Sequence, residues 1–203
     1  MRLIATRVSG NPKVLHLVMV VVTCLWIGGC HHQIRFEEIN HSVGQEKIDV
    51  SIVAVIAPET LSKVTPIHSI MTGAAHTWEA RPGEMLQQMT DLEFPQVFQH
   101  YRRVPIYEDP TEGQKRLTVE LSVQHYDFSD FHATVVVQAK VYSPGRIERL
   151  ERSYRGAGKT QGAKMFWGGA FAMKSAIRQS SYDAYKKLFE QLRRDLMELL
   201  RQP

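Results

Sequence analysis

Two runs of strict alternation constrain this chain most. Leu117, Val119, Leu121 and Val123 alternate with Thr118, Glu120, Ser122 and Gln124, and Ala133, Val135, Val137, Ala139 and Val141 repeat the arrangement. A period of two puts the apolar side chains on one face of a strand, because successive side chains point to opposite sides of a sheet. "YDFSD" between the runs supplies turn-forming Asp and Ser, "SPGR" (Ser143 to Arg146) supplies the next turn, and a third strand is predicted from Ile147 to Tyr154. Ile48, Val50, Ile52, Ala54 and Ile56 add an earlier strand with one well-buried face. Such a meander needs a cover over its apolar side.

The C-terminal segment supplies that cover. Ile177, Tyr185, Leu188, Leu192, Leu196 and Leu199 fall on one face of a helix predicted over roughly Lys174 to Arg201, with Arg and Lys opposite. A shorter helix opens at Pro82-Gly83-Glu84 and carries Met85, Leu86, Met89 and Leu92; Pro95 must end or kink it, since its ring blocks a turn hydrogen bond. "VFQHY" continues as a second short helical segment, followed by a strand near Val104 to Tyr107. These elements predict an α/β (α+β) fold: a two-layer sandwich in which a mainly antiparallel sheet is covered by a long C-terminal helix and a shorter one.

The N-terminus reads differently. Arg2, Arg7 and Lys13 precede an apolar segment, Val14 to Gly29, broken only by His16 and Thr23. A positive region, a short apolar region and small residues at a cut describe a secretory signal peptide, and the run falls short of the about 20 apolar residues of a transmembrane helix. Ile27-Gly28-Gly29-Cys30 resembles the lipobox of bacterial lipoproteins, in which an aliphatic and two small residues precede a cysteine that takes a diacylglyceryl thioether. The implied organisation is a signal peptide over 1–29, a lipidated N-terminus and flexible tether over 30–47, and a single periplasmic domain over 48–203. The tether "HHQIRFEEINHSVGQEK" has few large apolar residues and no clear period.

Removing residues 1–29 leaves 174 of the 203 residues, enough for one domain. The formal charge falls from +4 to +1 because the leader's three cations go with it, so the pI near 9.1 is no argument for nucleic acid. Cys24 leaves too and Cys30 is acylated, so no pair remains for a disulfide and stability must come from the core.

From "ATVVVQAKVYSPGRIERLERSYRGAG" to "SSYDAYKKLFEQLRRDL" the chain resembles YajG-type lipoproteins of Gram-negative bacteria, which share the lipobox, the hairpin of alternating strands and a terminal amphipathic helix. The resemblance implies an envelope lipoprotein without known catalysis, so no catalytic residue, metal or cofactor carries over. His31 follows the cysteine where lipoproteins of the inner membrane resemble one another in having Asp, which implies the outer membrane.

Other groups carry chemistry-bearing residue types without the spacing that the chemistry needs. "GAGKT" (Gly156 to Thr160) lacks the first glycine of a phosphate loop, with Ser153 in its place. Ser129, Asp130 and His132 are the residue types of a hydrolase triad, but crowded into one hairpin they cannot reach nucleophile, base and orienter geometry. His31-His32, His68, His76, His100 and His125 lack metal-ligand spacing. Trp78 reads as a core residue, with an interaction surface as the alternative. "KMFWGGAFAM" (Lys164 to Met173), with Phe166, Trp167 and Phe171, reads as a helix entry packed into the core or, alternatively, as an apolar docking or membrane-contacting loop that forms an interaction surface. The functional expectation is a non-enzymatic envelope lipoprotein, held to the membrane by its lipid, whose domain binds another envelope protein. The alternative is an auxiliary subunit of a lipid or lipopolysaccharide transport system, with an amphiphile in a groove between helix and sheet.

Overall fold

The computed structural model describes residues 30–36, 47–67, 76–108 and 116–201. Among them the chain runs β1 (Cys30–Ile34), β2 (Ile48–Val55), α1 (Pro58–Leu61), β3 (Thr65–Ile67) and β4 (His76–Ala80). It continues through α2 (Pro82–Val97), β5 (Phe98–Val104), β6 (Arg116–Ser129), β7 (His132–Ser143), β8 (Ile147–Ala157) and α3 (Gly162–Arg201). The fold is α+β, as the alternation and the terminal amphipathic stripe predict.

The meander forms as read. β6 pairs antiparallel with β7 and β7 with β8, and Leu117, Val119, Leu121 and Val123 are buried together with the alternate residues of β7. The wider sheet is mixed rather than mainly antiparallel. Its order is β5-β2-β6-β7-β8, and β2 lies parallel to both neighbours. Parallel neighbours need crossovers, and α2 lies within the one from β2 to β5. Being central, β2 is buried on both faces from Ile52 to Val55: Val53 and Val55 form a separate small cluster with Val104. The residues "VFQHY" straddle the end of α2 and the start of β5. Pro95 sits in the last turn of α2, which stops two residues later with the Phe98 N–H on the Phe94 carbonyl.

The expected tether is corrected over its first residues. Cys30–Ile34 is a strand, parallel to β4 in a second sheet of order β1-β4-β3. Ile34 and Phe36 are core residues, and the Phe36 ring meets Tyr182 and Tyr185 edge-on at 5.8 and 5.9 Å. Two alternating apolar residues are too few to give a strand signal in sequence. Residues 37–46 of that stretch lie outside the described residues.

α3 begins at Gly162, twelve residues ahead of the expected Lys174. Ile177, Leu188, Leu192 and Leu196 are buried against the sheet. Buried polar contacts set its position: the Tyr185 hydroxyl donates to the Pro82 carbonyl at 2.6 Å, Tyr126 and Ser181 hydroxyls pair at 2.7 Å, and the Ala133 N–H donates to Ser180 Oγ at 2.8 Å. Each stitches the helix to a different element, and each would cost on the order of 1–3 kcal/mol if one partner were left unsatisfied.

Leu192→Asp is expected to destabilise the domain by more than about 3 kcal/mol, since it loses leucine burial and leaves a carboxylate unpaired in the core. Arg194→Asp, at an exposed position, is expected to stay within about 0.5 kcal/mol. Urea denaturation of the two variants reads the contrast. A second outcome concerns alkali. Burial raises the phenols of Tyr126 and Tyr185 above the usual 10.0. The unfolded chain then releases protons that the folded chain keeps, so their contribution is complete below pH about 10 and is lost as pH rises above it. Urea midpoints measured at rising pH should fall above that point, and less steeply in Tyr126→Phe.

Candidate functional site

α2 and α3 cover one face of the five-stranded sheet; the other face carries an open cleft of about 450 Å³. Its floor is polar because the alternation that sends Leu121 and Ala139 into the core turns Glu120, Ser122, Gln138 and Lys140 outward. One wall is α1 and its exit, with Glu59, Thr60 and Lys63; the other is Pro105, Ile106 and Tyr107, which follow β5. Arg146, from the turn between β7 and β8, completes the rim.

The cleft is held by polar and ring contacts. Lys63 Nζ donates to the Val123 carbonyl, at the β6 bulge where the ladder register shifts. The Tyr142 hydroxyl donates to Glu120 Oε2 at 3.3 Å, and the Tyr107 ring stands edge-on to Tyr142 at 5.7 Å. Arg146 places its guanidinium 4.8 Å from the Tyr107 centroid, within cation–π range. The turn that aims it is demanding: Gly145 and Arg146 both have positive φ, 79° and 58°. Lys140 pairs with Glu151 at 3.0 Å, a contact that raises its ammonium pKa, and Gln138 donates to the same carboxylate at 2.7 Å. Burial and the nearby Glu120 raise the Tyr142 phenol. Both charge signs therefore line the cleft, with Glu120, Lys63, Lys140 and Arg146 each held by a neighbour. Among the described residues no group of three or more His, Cys, Asp or Glu is placed to hold a metal ion.

The expected site residues are scattered. Trp78 is 3% exposed, inside the three-stranded sheet opposite Ile67: it is core, and the alternative that gave it a place in an interaction surface is corrected. The Lys164–Met173 segment is helical, within α3, and not a loop. Trp167 is 85% exposed and Met173 is buried, while the side chains of Phe166 and Phe171 lie outside the described residues. So do Ile27, Gly28 and Gly29; Cys30 is described by its backbone at the start of β1.

Ser129, Asp130 and His132 prove to be turn chemistry. Ser129 and His132 are paired across the hairpin, and Asp130 and Phe131 between them have φ of 47° and 62°, the pattern of a type I′ turn. The Ser129 hydroxyl donates to Asp127 at 2.5 Å, and His132 Nδ1 lies 3.3 Å from the Asp130 carbonyl. The "GAGKT" glycines have a packing reason: a Cβ on Gly156 would lie 2.0 Å from the Ala184 carbonyl oxygen, and one on Gly158 1.9 Å from that of Ser180. Tyr101 and Arg103 are both engaged by Asp91, at 2.5 and 3.0 Å. Sequence reasoning missed Tyr107, Tyr142 and Arg146; the only hint was the Pro-Gly turn, which does not say what its last residue faces.

No family model matches this chain, and no curated protein matches it. Among solved structures, a protein from Xanthomonas campestris described under the family model DUF330 aligns with 82% of this chain and 99% of its own, at 12% identity and a TM-score of 0.46.

Gly158→Ala is expected to lower stability by at least about 2 kcal/mol, because helix backbone must move to admit the methyl group. Lys159→Ala, at an exposed position, should change it by less than about 0.5 kcal/mol. Nucleotide should leave the melting temperature of the wild-type protein unchanged, whereas a true ligand at a hundredfold excess over its Kd adds about 2.7 kcal/mol. Thermal and urea denaturation check all three.

Proposed function

We propose that the protein is an outer-membrane lipoprotein of the YajG type, with no catalytic activity, whose domain binds another component of the cell envelope on the periplasmic side. The observation that carries this reading is the Ile27-Gly28-Gly29-Cys30 junction closing a short apolar run behind three cations. Signal peptidase removes residues 1–29, and Cys30 takes the lipid. Three acyl chains at about 0.8 kcal/mol per buried methylene hold a protein almost irreversibly, whereas a single chain holds it only marginally. His31 in place of Asp supports sorting to the outer membrane. The polar cleft on the free sheet face supports a binding role, since it offers donors and acceptors of both signs at fixed positions.

The transport-subunit alternative needs room for an amphiphile between helix and sheet. Tyr185, Leu188, Phe189, Leu192 and Leu196 fill that space, each at most 1% exposed. Nothing there favours it.

Cys30→Ser is expected to abolish incorporation of radiolabelled palmitate and to leave an unprocessed or soluble protein. Equal labelling of wild type and variant would remove the lipoprotein reading.

A further inference from the structure

The turn between β7 and β8 holds one side chain in a set direction. Ser143 pairs with Ile147 across it, and the Ser143 hydroxyl donates to the Ile147 carbonyl at 3.4 Å. Arg146, inside the turn, has φ of 58°, a region that favours glycine and asparagine, so an arginine sits there at a conformational cost. Its guanidinium stands over the Tyr107 ring at 4.8 Å, and that ring is braced edge-on against Tyr142. Stacking uses one face of the guanidinium and leaves its in-plane N–H groups to bind something else. Among the described residues Arg146 makes no ion pair and no hydrogen bond.

The other charges that line the cleft do not answer it. Glu120 accepts the Tyr142 hydroxyl, and Glu59 belongs to the α1 wall. Lys140 is paired with Glu151, and Lys63 Nζ donates to the Val123 carbonyl. Arg146 is therefore the cation of the cleft whose donors are unmatched. The parallel N–H pairs of a guanidinium fit the two oxygens of a carboxylate or a phosphate. Glu59 and Glu120 in the same lining disfavour a phosphate of nearly two charges, whereas a carboxylate brings one.

The rest of the lining indicates what carries that carboxylate. Ile106, 73% exposed, forms an apolar wall with Pro105 next to Tyr107. The floor is polar, with Glu120 paired to Lys140 and Ser122 to Gln138 along the β6–β7 ladder. An acyl chain laid on that floor would strip water from these groups and give no hydrogen bond in return. A peptide brings an N–H and a C=O at each residue. We infer that the cleft receives an extended segment of another protein, in which an aspartate or glutamate carboxylate is held by Arg146 and a nearby apolar side chain rests on Ile106. The inference rests on the binding role proposed above, names the chemistry of the partner, and is independent of the lipid anchor.

The test uses the full protein purified from membranes in detergent and titration calorimetry at low ionic strength. The probes are a pentapeptide with a central glutamate flanked by leucines, both ends blocked, and the same peptide with glutamine. Wild type is expected to bind the glutamate peptide about tenfold more tightly, a preference that shrinks as salt rises. Arg146→Ala should abolish the preference, and Arg146→Lys should keep only part of it, since lysine retains the charge without the fork. Ile106→Ser should weaken both peptides alike. Arg149→Ala removes the same charge from an exposed position outside the cleft lining, and the tenfold preference should survive it. Equal binding of the two peptides by wild type, binding of neither at millimolar concentration, or a preference that persists in Arg146→Ala overturns the inference. Inorganic phosphate that binds wild type more tightly than the glutamate peptide, and is lost in Arg146→Ala, overturns the peptide in favour of a phosphate ligand. Palmitate incorporation reports the anchor separately. Acylated protein that ignores both peptides overturns this inference and leaves the lipoprotein reading standing. A preference for the glutamate peptide in protein that takes no palmitate supports the inference and removes the lipid anchor.

Discussion

The near-contact between the backbone of α3 and the end of β8 is the constraint on which the rest of this structure depends. At Gly156 and Gly158 the strand has no side chain, and opposite them Ala184 and Ser180 bring the helix in with only small ones. A helix held at that spacing can drop Ile177, Tyr185, Leu188 and Leu192 fully into the sheet. It also brings Ser180 and Ser181 within reach of the Ala133 N–H and the Tyr126 hydroxyl. A bulkier residue at either glycine would lift the helix, opening the apolar layer and separating those buried polar pairs together. Packing and hydrogen bonding here are one geometric condition.

The same placement leaves the opposite sheet face without a long helix, with only the short α1 at its margin. Central β2 must still bury Val53 and Val55 on that side, and Val104 joins them from β5. Beyond this small apolar patch the face becomes polar, and α1, the residues after β5 and the β7–β8 turn enclose the cleft around Glu120 and Lys140. A cleft built on a sheet and framed by short connections keeps its groups fixed while the core lies on the other side.

How much of this was legible in the sequence depended on how far each element's signal is local. The strands β6 and β7 each carry an unbroken period of two, so their faces and their pairing could be read directly. Leu188, Leu192 and Leu196 gave the covering stripe in the same way. β1, β3 and β4 were missed because they are three to five residues long, below the length at which alternation separates from chance. Strand direction was also hidden: Ile48 to Ile56 reads identically beside parallel or antiparallel neighbours, so the mixed sheet could not be foreseen. Trp78 could be read as core from its residue type, but the short strands that bury it were invisible. The glycines of "GAGKT" resembled a ligand loop since their partner, the helix backbone, lies some 25 residues further along the chain and makes no mark on the local pattern. The cleft was illegible for the same reason, since Lys63, Tyr107, Glu120 and Arg146 meet only through the topology.

The pairing of Cys30 with His76 at the very start of β1 has a mechanical consequence. β1 lies parallel to β4 over five registered residues, Cys30 to Ile34. A pull applied at Cys30 along the axis of β1 acts on its pairing with β4. It loads the ladder in shear, so all of its hydrogen bonds must fail together instead of opening one after another as they would in a peeling geometry. Behind the ladder, Ile34 and Phe36 are locked in the core like a knot behind a washer. Tension at residue 30 is thereby delivered to the whole domain as a single rigid load.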